Sequence, residues 1–500
     1  MSTLKIGWAE VNITPDKKVA LDGQFAERIS QYVEKPITVT AMAIDSGDDQ
    51  AIMCSVDLLL IKRQVVQEVR KRLERNTVGI DPNKVTFSSI HTHTAPVVPN
   101  SNKVTTVSSG FRTLLEPYIP AGKKYVENAP VNDDPDVMKP AEYFDLLVEW
   151  CVEAVMKAWN ARTPSSFTNA FGRAPVGLCR RAVFSDGSAQ MWGDTYQAVF
   201  EELEGGNDSG IELLFVYGED QKLTGIVINV CCPAQCVQHR HFISPDFWGE
   251  VRVLLRNYFG QELFILCQCG AAGDQCPVDL VRWVEPESDL NDPNLTRNGV
   301  PKRKADPSMF DLAGMRKTGK RIAREIIDVY EEGLDEPQVD VKFTHLVQHY
   351  FLPLRRVTLT DAEKARQAIK DYMREKEGDL DFNDAAKLQI HLGTLQRLKL
   401  QNQKDVHDTE VHVIRMGSVV FATNPFELFL NFGNQIKARS QAEQTFLVQL
   451  TNSWDGYLPT AKAEQGGHYS AFVSSGIVGH EGGDLLVRQT LNDITNLFKD

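Results

Sequence analysis

The stretch Val85–Pro96, VTFSSIHTHTAP, gives the clearest indication of fold and function. Its first half is apolar and β-branched, which predicts a buried strand, and it then turns to His91 and His93 before Pro96 ends any regular ladder. Residues two apart in an extended chain point to the same face, so the two imidazoles converge, and imidazole is the commonest metal ligand. The pair alone is equally compatible with hydrogen-bonded loop histidines, but the strand in front of it favours a functional site.

Two further apolar segments end in the same way as the strand before His91. Leu223–Val230 leads to Cys232, and Leu263–Cys269 leads to the glycine-bearing turn that starts at Gly270. Functional groups gather just beyond strand ends in α/β folds. The repetition therefore predicts one sheet edge that carries one site.

The composition is that of a folded, acidic chain. Its 500 residues, 42% hydrophobic and 24% charged, predict one large α/β unit. The net charge of −13 argues against nucleic acid, whose phosphates require a basic face. No apolar leader follows Met1 and no long apolar run is present, so we expect a cytoplasmic protein without a membrane span that acts on a small molecule. The nine cysteines are then expected to be thiols.

The segment that begins at Cys232 is crowded with metal-binding residue types. Cys236, His239 and His241 follow within ten residues. This crowding favours a metal ligand or a catalytic thiol among them. The alternative is ordinary core packing, because cysteine is one of the residue types most often buried.

Glu427 stands in a very apolar context, FELFLNF. A carboxylate there must be paired, coordinated or exposed. We expect a helix to begin near Phe426, and a glutamate in the first turn of a helix is the ordinary alternative to a functional role.

The turn GAAGDQCP lacks the glycine spacing of a P-loop or a dinucleotide fingerprint. It is better interpreted as a tight turn that lets the backbone approach a ligand, with Asp274 or Cys276 projecting from it. Neither a G-x-S-x-G elbow nor an H-E-x-x-H helix occurs in the chain, which removes two common classes of hydrolase.

Six motifs resemble, in the same order, those of the neutral (non-lysosomal) ceramidase family: GWAEVNITPD, SSIHTHTAP, VINVCCP followed by ISPDFWGE, GAAGDQCP, NPFELFL and NSWDGYLPTAKAEQGGHY. The resemblance covers the chain nearly end to end. It implies one large α/β catalytic domain with a mixed sheet over residues 1–500, in which one zinc activates water for amide hydrolysis. We expect residues 101–140 to form a loop or lid and residues 361–399 a helical hairpin. We expect no C-terminal immunoglobulin-like domain, because the last motif ends shortly before Asp500.

Matched position by position, the resemblance assigns both metal ligands and substrate-facing groups. The family's zinc ligands fall on His91, Glu427 and Tyr469. Its substrate-facing groups fall on His93, Tyr457 and, through a looser match, Arg180.

Two positions depart from the family's pattern. Cys232 stands where the family has its second zinc-binding histidine, and Cys276 stands where it has a serine assigned to catalysis. Zinc accepts nitrogen, sulfur and oxygen ligands, so we predict that Cys232 completes the zinc site. His239 or His241 is the alternative ligand, and Cys276 is kept as a candidate catalytic residue.

Residues and resemblance together predict a zinc-dependent hydrolase of an amide (N-acyl) bond. The polar stretch at 101–140 favours a small soluble substrate over a long-chain ceramide. One alternative is a binuclear amidohydrolase, in which H-x-H supplies two metal ligands. Another is a non-catalytic binding protein that kept the pocket and lost the chemistry. The sequence leaves the substrate and the oligomeric state open.

Overall fold

The computed structural model of the chain describes residues 2–24, 28–76, 79–103, 114–126, 134–282 and 310–499. The loop or lid predicted at 101–140 lies partly outside these ranges, at 104–113 and 127–133. Within them, no helix is both long and apolar enough to cross a membrane.

The described ranges contain nine α-helices. They are α1 (Arg63–Asn76), α2 (Pro140–Asn160), α3 (Phe247–Phe259), α4 (Asp311–Glu332), α5 (Leu359–Glu375), α6 (Phe382–Gln401), α7 (Leu430–Arg439), α8 (Ala461–Gly466) and α9 (His480–Leu497). A reciprocal cap starts α5, because Thr358 accepts from the Asp361 N–H at 3.1 Å while the Asp361 carboxylate accepts from the Thr358 N–H at 3.2 Å. Helices α5 and α6 pack against each other in the region where the sequence predicts a helical hairpin.

The strands are short outside two main sheets. In chain order they are β1 (Ser2–Thr3), β2 (Lys5–Asn12), β3 (Ala20–Leu21), β4 (Arg28–Ile29), β5 (Tyr32–Val33), β6 (Thr38–Asp45), β7 (Gln50–Val56), β8 (Val85–Ser89), β9 (Thr163–Arg173), β10 (Leu178–Cys179), β11 (Arg181–Phe184), β12 (Ala189–Met191), β13 (Phe200–Leu203), β14 (Gly210–Gly218), β15 (Leu223–Val230), β16 (Phe242–Ile243), β17 (Phe264–Cys269), β18 (Gln275–Cys276), β19 (Asp340–Val341), β20 (Phe343–Pro353), β21 (Val406–Met416), β22 (Val419–Thr423), β23 (Glu427–Leu428), β24 (Gln444–Val448) and β25 (Tyr457–Leu458).

The larger sheet has eight strands in the order β17-β15-β14-β9-β2-β6-β7-β8. Its two outer pairs, β15 with β17 and β7 with β8, are parallel, whereas the inner strands pair antiparallel. The fold is therefore α/β with a large mixed sheet, which confirms the predicted fold class. All five residues of β8, Val85–Ser89, are buried, so the strand is covered on both of its faces.

The ends of β8, β15 and β17 meet, although β8 and β17 occupy opposite edges of the sheet. Val230 and Cys269 are paired at the ends of β15 and β17. The Cys269 carbonyl accepts from the N–H of Gln449 at 3.1 Å, and the next residue, Leu450, accepts from the N–H of Ser89 at 3.3 Å. One short segment after β24 thus bonds to two strand ends, and the three predicted strand ends share one region.

A second sheet, in the order β20-β21-β22-β24, packs against the first. Both sheets contribute to one buried apolar cluster that includes Leu214, Leu266, Phe421 and Phe446. Helix α9 packs on β20 and β21, on the other side of this sheet. The core between the sheets fixes the position of β24 and of the loop that follows it.

Candidate active site

His91 lies directly beyond the end of β8 and is 4% exposed. Its Nδ1 donates to the carbonyl of Leu59 at 2.9 Å, which leaves the lone pair of Nε2 free. Nε2 lies 3.6 Å from Oε2 of Glu427. Burial lowers the pKa of His91 even though Glu427 acts in the opposite direction. The ring is thus neutral at pH 7 with a fixed tautomer, which is the form that binds a metal.

The backbone around this position is strained. His91 has φ 65°, and positive φ also occurs near the site at Leu450 (54°), Asn452 (60°), His468 (70°) and Ser470 (71°). Each such residue costs about 1 kcal/mol or more, and such residues cluster at functional sites. The strain marks the end of β8 and the loop after β24 as places where geometry is held against local preference.

A row of hydrogen bonds links His93 to Arg180. His93 Nδ1 donates to the Gly23 carbonyl at 2.8 Å, and its Nε2 accepts from the amide nitrogen of Gln235 at 2.8 Å. The Gln235 amide oxygen accepts from Arg180 Nη1 at 3.1 Å, and Arg180 Nη2 donates to the carbonyl of Gly273 at 3.0 Å. Burial lowers the pKa of His93 well below its ordinary value, so this ring is also neutral.

Arg180 is 2% exposed. Its charge acts on Glu427, Tyr457 and Tyr469. Its Nε is buried and has no hydrogen-bond partner among the described residues. A buried donor without an acceptor is unfavourable, and an oxygen of a bound substrate would satisfy it.

Glu427 lies on the short strand β23, where it pairs with Tyr457 of β25. The expectation of a helix from Phe426 is wrong, because α7 begins at Leu430, whose N–H is capped by Oδ1 of Asp274 at 2.9 Å. The parallel pairing with β25 keeps Glu427 extended and 4% exposed. Its Oε1 accepts from the indole N–H of Trp454 at 3.0 Å.

Tyr457 and Tyr469 lie side by side next to Glu427. Their hydroxyl oxygens are 3.4 Å apart, and their rings meet nearly at right angles. Burial, followed by the negative charge of Glu427, raises the pKa of Tyr469 to about 12 and that of Tyr457 well above its ordinary value. Both hydroxyls are therefore protonated at neutral pH, as hydrogen-bond donors to an oxygen must be.

The sulfur of Cys232 is bonded to backbone carbonyls. Sγ lies 3.3 Å from the Val176 carbonyl and 3.6 Å from that of Pro233, inside an apolar cluster. Burial raises the pKa of the thiol well above its ordinary value. Within the described ranges, no group of three or more His, Cys, Asp or Glu side chains stands close enough together to hold a metal. Cys232 as a metal ligand stays a prediction.

Cys276 occupies an apolar cluster with Leu280 and Phe310, beside the site. Its thiol donates to the Val278 carbonyl at 3.2 Å. Burial raises its pKa to about 12 although Arg180 acts in the opposite direction. The thiol is protonated at neutral pH, and its catalytic role stays a prediction.

The alternative ligands, His239 and His241, contact other parts of the chain. His239 stacks on Phe310, with ring centroids 4.8 Å apart, and its Nε2 lies 3.7 Å from Oδ1 of Asp311. Burial lowers the pKa of His239 to about 4. The carbonyl of His241 accepts from the N–H of Gln31 at 2.7 Å.

Two polar residues of the site were missed by sequence reasoning. Gln235 links His93 to Arg180, and Trp454 binds Glu427. The available signal was their position: Gln235 follows Cys232 by three residues in CCPAQC, and Trp454 precedes Tyr457 by three in NSWDGY. Both residue types also occur as ordinary core or surface groups, so position alone did not single them out.

No protein-family model matches the chain, and no curated protein matches it by sequence. Solved structures do match it. A ceramidase complexed with C2 has a TM-score of 0.66 at 13% identity, over 99% of this chain and 75% of that one. The neutral ceramidase from Pseudomonas aeruginosa has a TM-score of 0.63 at 14% identity, again over 99% of this chain and 75% of that one. The chain therefore has the fold of neutral ceramidases, as the order of its motifs predicts.

Proposed function

We propose that the protein is a zinc-dependent hydrolase of an amide (N-acyl) bond in a small soluble substrate. The observation that carries the proposal is the convergence of neutral imidazoles, a carboxylate, two phenols and a buried guanidinium at one end of a ceramidase-like fold. General amide hydrolysis needs a nucleophile, an orienting acid and donors for the developing oxyanion, and this set contains groups for the last two roles.

Zinc would supply the nucleophile, because a bound water has its pKa lowered to about 7. The residues proposed to hold it are His91, Glu427, Tyr469 and Cys232. The first two fit best, since His91 has its free Nε2 lone pair 3.6 Å from Glu427 and its Nδ1 fixed by a backbone carbonyl. Tyr469 would add an oxygen ligand, since the charge of Glu427 acts on its hydroxyl. Cys232 could bind the metal only if its sulfur gave up its contacts with the carbonyls of Val176 and Pro233.

The remaining groups orient the substrate carbonyl. Arg180 is held by Gln235 and by the Gly273 carbonyl, which leaves its buried Nε free to donate to a substrate oxygen. Gly273 is required there, since a Cβ at this position would lie 2.3 Å from the carbonyl oxygen of Glu427. Neutral His93, which is linked to Arg180 through Gln235, and protonated Tyr457 would serve as further polar contacts.

Of the two alternative functions, the fold argues against a binuclear amidohydrolase and is compatible with a non-catalytic binding protein. A binuclear amidohydrolase requires a closed barrel of parallel strands, and the eight-stranded sheet is mixed. A non-catalytic binding protein requires only the pocket, and the carbonyl-bonded sulfur of Cys232 is compatible with it. Metal content and hydrolysis separate this alternative from the proposal.

The test is a hydrolysis screen of the zinc-loaded protein against N-acyl compounds of graded chain length, with a long-chain ceramide included. We expect release of a free amine from a short, soluble N-acyl compound and loss of that activity in Glu427→Gln. The matched control is Glu363→Gln, an exposed glutamate on α5, which keeps full activity. No hydrolysis and no stoichiometric zinc would instead identify a binding protein.

The same preparation tests the fourth ligand. We expect Cys232→Ala to lose zinc and Cys232→His to retain it, since both sulfur and imidazole nitrogen bind this ion. Zinc retained by Cys232→Ala but lost by His239→Ala or His241→Ala would contradict the assignment.

A further inference from the structure

The loop that supports His91 ends in a lysine to which the proposed reaction gives no role. Leu59 accepts from the ring of His91, and Leu58 accepts from the N–H of Thr92 at 3.2 Å. The loop then continues to Lys62, directly before α1. The position of Lys62 is thus tied to that of His91 through one short segment.

The ammonium of Lys62 is half-buried and unpaired. Within the described part of the chain it makes no hydrogen bond and no ion pair, and its Nζ lies over the ring of Trp454, 5.4 Å from the centroid. Burial lowers the pKa of Lys62 although the charge of Asp22 acts in the opposite direction. The next cation, Arg63, differs because it is paired with Asp455 at 3.4 Å.

Trp454 connects this cation to the reacting groups. Its indole N–H donates to Glu427 at 3.0 Å, while the residue as a whole is 41% exposed. One side chain thus reaches from solvent to a buried carboxylate, with Lys62 over its ring. Asp22 raises the pKa of both Lys62 and His91 through its negative charge.

We infer that Lys62 is the specificity-determining residue of this site and that the substrate is an N-acyl compound with a carboxylate close to the scissile amide. The inference rests on the proposed function and names its substrate class. The carboxylate pairs with Lys62, and the exposed face of Trp454 packs against the atoms that join it to the amide. Arg180 does not take this role, because Gln235 and Gly273 already accept from it.

The carboxylate belongs to the amine portion of the substrate, as in an N-acyl amino acid. There it lies two bonds from the amide nitrogen, which suits an ammonium separated from Glu427 by one indole. In the reaction, water adds to the acyl carbon, the C–N bond breaks and the nitrogen takes up a proton. The products are a carboxylic acid and a free amino acid. A short diacid acyl group would also bring a carboxylate near the amide, so the test includes one.

The experiment compares N-hexanoylglycine, its neutral isostere N-hexanoylglycinamide, and N-succinylglycinamide. We expect wild-type protein to prefer N-hexanoylglycine in kcat/KM by at least about tenfold, which is what one charge-assisted contact supports. Lys62→Met is expected to remove this preference through KM, and Lys62→Arg to restore most of it. Lys71→Met, at an exposed lysine on the adjoining helix α1, is the control and leaves the preference unchanged.

Equal losses on the charged and neutral substrates in Lys62→Met, or no loss on either, would overturn the inference. A Lys62-dependent preference for N-succinylglycinamide would overturn the assignment to the amine portion. Failure of the proposed function is distinguishable, since no N-acyl compound would then be hydrolysed. Calorimetric binding of N-hexanoylglycine against its amide, in wild type and in Lys62→Met, still decides the role of the lysine in that case.

Discussion

His91 and His93 meet edge-on with ring centroids 4.9 Å apart, and a second buried pair, His345 and His412, meets at 5.1 Å. The first pair is two residues apart in sequence and follows the end of β8. The second joins two strands of the other sheet, β20 and β21, from positions 67 residues apart. Burial lowers the pKa of all four rings. What separates the pairs is how their ring nitrogens are satisfied.

Every ring nitrogen of the second pair has a partner within hydrogen-bond distance. His345 Nδ1 lies 3.0 Å from the Gln50 carbonyl, and its Nε2 lies 2.8 Å from His412 Nδ1. His412 Nε2 lies 2.9 Å from Glu410 and 3.1 Å from Asn452. In the first pair, by contrast, the partner of His91 Nε2 among the described residues is Glu427, at 3.6 Å, which is beyond hydrogen-bond distance.

The difference teaches how to separate structural from functional histidines in a buried setting. The second network ties the larger sheet to the smaller one, because Asn452 also accepts from the N–H of Phe87 on β8 at 2.8 Å. A fully satisfied network of this kind rigidifies a core. An unsatisfied nitrogen on a neutral ring, held in place by strained backbone, is available to a ligand.

The largest expected effect is a loss of activity on removal of His91, whose Nε2 has no partner within hydrogen-bond distance among the described residues. His91→Ala is expected to lower kcat/KM by about 10²–10³-fold or more, the scale seen when one essential polar group is removed from an active site. Its melting temperature is expected to fall, because the variant leaves the buried Leu59 carbonyl without its 2.9 Å partner, so activity is compared per folded molecule. His412→Ala is the matched control and should retain most of its activity per folded molecule. A comparable activity loss in both variants would contradict the distinction.

The next largest effect concerns stability, and it is expected at the second pair rather than at the first. His412→Ala is expected to lower the free energy of unfolding by about 2–3 kcal/mol, because it strands buried partners on His345 and Asn452. Denaturant titration measures this loss. His349→Ala, at an exposed pair with Asp408, is the control and should change stability by less than about 0.5 kcal/mol. A cost in His412→Ala no larger than in the control would show that the network does not support the fold.

A smaller effect appears in the pH dependence of stability. Burial lowers the pKa of His345 and His412; Arg70 lowers both further, Lys84 acts on His345, and Glu410 opposes the effect on His412. Below the unfolded pKa of about 6.5 the unfolded chain binds more protons, so stability falls as pH drops, by up to about 1.4 kcal/mol per unit and group.

The control for this effect is the double variant His345→Gln/His412→Gln, unfolded by denaturant at pH 7.5, 6.5 and 5.5. Its stability should fall less steeply with acidification than that of wild type. Parallel curves would contradict the prediction, because they would mean that the pair takes up the same number of protons in the folded and the unfolded protein.

The sequence predicted those parts of the molecule that depend on local pattern. The structure confirms the strand before His91, the convergence of three strand ends and the mixed α/β fold. The strands could be predicted because the apolar pattern of a buried strand is a local signal. The start of α7 was placed too early, since the pairing of Glu427 with Tyr457 is a contact across 30 residues that no local pattern reports. The roles of Gln235 and Lys62 depend in the same way on neighbours distant in sequence.

The most direct test of this account is the zinc content of purified protein after dialysis, measured by mass spectrometry for wild type, His91→Ala and His412→Ala. The account predicts about one zinc per chain in wild type and in His412→Ala, and none in His91→Ala, with circular dichroism showing that each is folded. Zinc retained by folded His91→Ala, or lost from folded His412→Ala, would contradict the claim that the incompletely satisfied pair is the metal site.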